Sequence, residues 1–152
     1  MRRPLLAALV ATAAVATAGT AVADTPADAI KYRQNVMKAM AAHFGAFFSV
    51  NMGRISQPAH LAPHAEALAD LAAMTKDLFP KGSDTGAPTE ALPAIWAEPA
   101  DFAKAVQALE TSSAALAKAV DAGDKAGTAA AAKAAGDACK GCHDRFRKEQ
   151  KQ

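Results

Sequence analysis

The stretch DACKGCHDRFRKEQKQ, residues 137–152, closes the chain and carries both of its cysteines. Cys139 and Cys142 stand three apart, and His143 follows the second directly. On a helix, positions i, i+3 and i+4 share one face, so this spacing would gather two thiols and an imidazole. Two thiols so placed can add across the two vinyl groups of one haem, and the adjacent imidazole can reach the iron. Cys-x-x-Cys-His is the attachment signature of haem c. Three other readings of the pair lack support. A redox Cys-x-x-Cys follows a strand in a βαβ unit, whereas this one lies deep in helix-forming sequence. A zinc site would need further ligands beside the pair, but the chain has no other cysteine, and His43, His60 and His64 are scattered upstream. A disulfide at this spacing on a helix is strained and closes almost no loop.

The position of the motif adds a constraint. The tail DRFRKEQKQ after His143 contains neither Met nor His. A sixth iron ligand must therefore come from upstream, across the fold, or the iron stays open on that side.

The opposite end reads as an export signal. Arg2 and Arg3 precede an apolar, Ala-rich run that ends in Ala21-Val22-Ala23. That is the order of a secretory signal peptide, with cleavage expected after Ala23. Residues 1–23 are then the leader, and residues 24–152 form one periplasmic domain. Export agrees with the haem reading, because c-type haem is attached outside the cytoplasm. No later segment is apolar enough to span a bilayer, so no membrane association is expected after cleavage. Removing Arg2 and Arg3 leaves fifteen basic and fifteen acidic residues. With no net charge and no basic patch interleaved with aromatics, nucleic-acid binding is not expected.

The mature chain is rich in Ala and poor in β-branched residues, a composition that favours helix. Four long helices are expected. The first opens at TPADAIKYRQ, with Thr25 as cap, Pro26 at the first helical position and Asp28 as capping-box acid. Ile30, Met37, Met40, Phe44 and Phe47 recur at helical spacing, and Gly53 is the expected terminator. The second follows Ser56-Gln57-Pro58, carries Leu61, Ala65, Leu68 and Leu71, and is expected to stop at Pro80. The Gly- and Pro-rich run from Pro80 to Trp96 is the one extended loop, with a short helical turn around residues 94–97. Pro99 opens the third helix, which ends before Gly123; the fourth starts near Asp124 and runs to the end of the chain. Its alanines imply a close approach to its neighbours. The expected fold is an all-α antiparallel four-helix bundle holding one covalent haem c.

With CKGCH at residues 139–143, DAIKYRQ at 28–34 and IWAEPADF at 95–102, the mature chain resembles the class II c-type cytochromes, the cytochrome c′ family. The resemblance implies haem c inside the bundle, held by Cys139 and Cys142, with His143 as proximal ligand. It implies Arg33 beside the haem propionates, and Arg147 as the basic residue near the proximal histidine, with Phe146 where Tyr or Phe is common. Many members form homodimers through the first two helices. Met37 falls at the distal position. Some members ligate iron there with Met and are low-spin; others are high-spin, five-coordinate, and admit nitric oxide or carbon monoxide.

The residues leave two functions open. A thioether suits haem iron, and Met/His ligation suits electron transfer. The leading expectation is a one-electron carrier with His143 and Met37 on the iron, Met40 in reserve, serving an unidentified redox partner protein. The alternative is a gas-binding protein with Met37 as distal packing. No nucleophile paired with a base is visible, so enzyme activity is not expected. His43, His60 and His64 read as solvated, although His60 and His64, four apart, have the spacing of a two-imidazole chelate. Trp96 reads as a packing anchor for the long loop.

Overall fold

The computed structural model describes residues 24–149; the leader read at residues 1–23 and the last three residues lie outside that range. Five helices follow one another: α1 (Pro26–Asn51), α2 (Leu61–Met74), the single turn α3 (Ala94–Ala97), α4 (Pro99–Asp121) and α5 (Lys125–Phe146). The ends form as the local chemistry dictates. Thr25 Oγ1 accepts from the amide of Asp28 at 3.2 Å, and Pro26 occupies a position whose N–H would have no helical partner. Asp124 caps α5 by accepting from the Gly127 amide at 2.9 Å. α4 closes on Gly123, whose φ of +65° suits the left-handed turn out of the helix.

Two boundaries differ from the sequence expectation. The second helix is entered through a 3-10 turn, Pro58–His60, and ends at Met74 in another, Thr75–Asp77, ahead of Pro80. The last helix does not run to the end of the chain: it stops at Phe146. Arg147 turns extended and forms an antiparallel bridge with Ala91. The loop offers the tail better partners than another helical turn would. Leu92 donates to the carbonyl of Phe146 at 2.9 Å, and Lys148 donates to that of Glu90 at 2.8 Å. That bridge is isolated; among the described residues the protein has no strand.

Packing runs in chain order. α1 lies on α2, α2 on α4, and α4 on α5, while α1 and α5 make no comparable contact. They meet near Phe44: a Cβ at Gly136 would stand 3.5 Å from Phe44 Cζ. The main core joins Val36, Met40 and Phe47 to Leu68, Leu116 and Ala132. Ala132 and Ala135 are buried on α5, so the small side chains let that helix sit close to α4. A second cluster, Ile95, Phe102, Val106 and Phe146, lies at the other end of α5. Its aromatic rings meet edge-on, Phe79 with Phe102 at 4.9 Å and Phe102 with Phe146 at 5.2 Å. Trp96 anchors the loop as expected: its Nε1 donates to the carbonyls of Phe79 and Pro80, each at 3.2 Å.

Candidate functional site

The last turns of α5 carry Cys139, Cys142 and His143. Both thiols are free and half-buried, and Cys142 packs against the second apolar cluster. Burial pushes both thiols above their ordinary range. For Cys142, with the neighbouring Cys139 adding to the effect, the value rises to about 11. They are neutral in their folded setting. His143 stands at the surface of α5, but its ring is crowded enough by protein that desolvation lowers its pKa. The charge of Arg147 lowers it further, against the opposing pull of Asp144 and Glu90. A neutral imidazole is the form that can ligate a metal.

Arg147 pairs with Glu90: its Nε donates to Oε2 at 2.7 Å and its Nη2 lies 2.6 Å from the same oxygen. The pair joins α5's tail to the loop beside His143. Lys148 adds a bond from Nζ to the carbonyl of Thr89 at 3.0 Å.

Arg33 of α1 reaches the other side of the same loop. It is only 3% exposed. Nη1 donates to Ser83 Oγ at 2.8 Å and Nη2 to Thr89 Oγ1 at 2.7 Å. The guanidinium lies over the rings of Phe79 and Trp96, 5.2 and 5.8 Å from their centroids. Burial lowers its pKa, and Asp84 works against that. The two bonds use two of its five N–H donors.

One helical turn further along α1, Met37 is half-buried against the main core. Met40 is buried within that core, and Phe44 packs beside it. The loop residues that fasten this assembly, Ser83, Thr89 and Glu90, carry no periodicity or motif that reading the sequence could have used. Contrary to the expectation of solvated rings, His43 and His64 face each other across α1 and α2, and both are half-buried.

The side chains present suit a covalently held haem. Two neutral thiols and an imidazole sit on one short stretch of α5, next to an apolar aromatic wall, and a buried cation stands on α1.

The comparisons with known proteins agree. The sequence matches the family described as Cytochrome C′ over residues 28–147, and the chain belongs to it. A cytochrome c′ from Rubrivivax gelatinosus is 38% identical over 129 residues, covering 82% of this chain and 97% of the relative. A cytochrome c-554 from Cereibacter sphaeroides is 34% identical over 124 residues, covering 79% and 80%. Among solved structures, the nitric oxide complex of a cytochrome c prime mutant from Alcaligenes xylosoxidans superposes with a TM-score of 0.75. It is 36% identical and covers 82% of this chain and 97% of that one. The cofactor of the family is covalent haem c with its iron, and the fold found here is the helical bundle of its solved members.

Proposed function

We infer that this is an exported, periplasmic haem c protein that binds nitric oxide or carbon monoxide at an iron carrying one protein ligand, His143. Cys139 and Cys142 would hold the macrocycle through two thioether bonds. When bound, the haem supplies an iron that takes a diatomic ligand and changes oxidation state by one electron. The remaining work falls to the chain's own residues. Arg147, tied to Glu90, adds to the desolvation that lowers the pKa of His143. Arg33 retains N–H donors beyond its two loop bonds and can offer them to a propionate as charge-assisted hydrogen bonds. The apolar wall of Phe102, Phe146 and Ile95 packs against Cys142 and would meet one side of the macrocycle.

The observation that carries this reading is the apolar character of α1 around Met37. Val36, Met40 and Phe47 are buried there, and Phe44 packs beside them. None of these side chains offers a hydrogen-bond donor. Nitric oxide and carbon monoxide bind ferrous haem without one, whereas distal donors favour oxygen binding and activation. The solved relative with nitric oxide bound supports the same choice.

A second reading has its own support. Met37 presents a thioether on α1, and one relative bears the name cytochrome c-554. In that reading Met37 ligates the iron and the protein carries single electrons. Optical spectra of the haem-loaded protein discriminate. Gas binding requires high-spin ferric iron, carbon monoxide uptake on reduction, and a Met37→Ala variant that stays high-spin. Relief of crowding should speed that uptake about tenfold, a barrier change of about 1.4 kcal/mol. Low-spin iron that turns high-spin in Met37→Ala would transfer the conclusion to the electron carrier.

A further inference from the structure

Two histidines that the haem site does not use meet between helices. His43, in the body of α1, and His64, in α2, bring their Nδ1 atoms to 3.1 Å. The ring centroids are 5.2 Å apart and the planes cross at 67°. Both rings are half-buried, so they are held by the packing of α1 on α2 yet reached by solvent. His60, a turn earlier, is exposed in the 3-10 segment.

Two imidazole nitrogens approach this closely in one of two ways. Either one ring donates a single shared proton to the other's lone pair, or both lone pairs address one cation. Two nitrogens bound at about 2.0–2.1 Å to tetrahedral zinc stand about 3.3 Å apart. At the right angle preferred by copper(II), the separation is about 2.9 Å. The observed 3.1 Å lies between these values. The separation the ion needs is thus within a few tenths of an ångström of the one the packing of α1 on α2 already sets.

We propose that His43 and His64 form a binding site for a divalent transition-metal ion with imidazole preference, copper(II) or zinc(II), independent of the haem. The ion takes the place of the shared proton, which passes by way of solvent to the bare Nε2 of its own ring, so both imidazoles stay neutral and no net proton is released. Among the described residues no group of three or more His, Cys, Asp or Glu gathers to hold a metal. Water therefore completes the coordination, and the site is open and exchangeable, unlike a closed structural zinc site. Copper(II) binds more tightly than zinc(II), following the usual affinity order.

Zinc titration calorimetry on the haem-loaded protein tests this, with the haem spectrum of each variant reporting that the fold is intact. One zinc ion per chain is expected. His43→Gln and His64→Gln should each weaken binding at least tenfold, and His60→Gln should leave it unchanged. Loss of binding in His60→Gln with retention in His43→Gln overturns the proposal, because the ion then sits on the His60–His64 chelate. An absence of saturable binding overturns it too. A second measurement needs no variant: zinc should protect His43 and His64, but not His60, from diethyl pyrocarbonate, as read by peptide mass mapping. Equal modification with and without zinc counts against the site.

Discussion

Arg33 is the one charged side chain that is buried among the described residues, and both of its partners come from the loop between α2 and α3. Arg33→Met would leave Ser83 and Thr89 without their charged donor. Bonds of this kind contribute about 1.5–3 kcal/mol each, so a loss of about 3–6 kcal/mol is expected for the two in denaturant unfolding of the haem-loaded protein. Arg33→Lys should recover only part of it, because an ammonium cannot reproduce the planar fork that reaches two hydroxyls and lies over two rings. The sequence marked Arg33 through a family resemblance, but not Ser83 or Thr89. A loop has no repeat to say which hydroxyl will turn inward. The histidines make the same point. His60 and His64 paired on paper because helical spacing is legible along one chain segment. The true partner of His64 depends on the register of α1 against α2, which side-chain packing sets and no local pattern records.

The loop from Leu78 to Pro93 is fastened on both sides, by Arg33 from α1 and by the tail of α5. Arg147→Ala removes the pair with Glu90 and should loosen the tail. Amide exchange at Leu92 and Lys148, whose N–H groups bond to Phe146 and Glu90, is then expected to quicken by about tenfold, equal to about 1.4 kcal/mol of local opening. Unchanged exchange would mean that the backbone bridge holds without the ion pair. Gly86 fixes the loop at α1: its φ is +105°, and a Cβ there would come within 3.0 Å of Pro26 Cβ. Gly86→Ala should cost about 1–3 kcal/mol in thermal or denaturant unfolding. Helix starts were well marked in the sequence by Thr25, Pro26, Pro99 and Asp124, because capping chemistry is local. The end of α5 was not, because Phe146 terminates it only where a distant loop supplies bridge partners to the tail.

Across the molecule, α5 is tied to the start of α4 by Arg145, which bonds Glu98 and stands 2.6 Å from Asp101. The hydrogen bond from Arg145, with help from Lys104, holds the Asp101 carboxyl below its ordinary 3.8. A carboxylate with a depressed folded value stabilises the fold above its unfolded value and loses that effect as pH falls through the folded one. Stability of the wild type should therefore decline below pH 3.8, and Asp101→Asn should flatten that acid limb in unfolding measured against pH. An unchanged acid limb would place the sensitivity elsewhere. The order of helix contacts bears on ligand entry. Because α1 rests on α2, and α5 on α4, with Phe44 and Gly136 the near approach between first and last helices, those two helices are held together chiefly through their neighbours and through the loop that Arg33 and the tail of α5 both grip. Parting them to admit a small guest therefore works against the α1–α2 and α4–α5 seams and against that loop together.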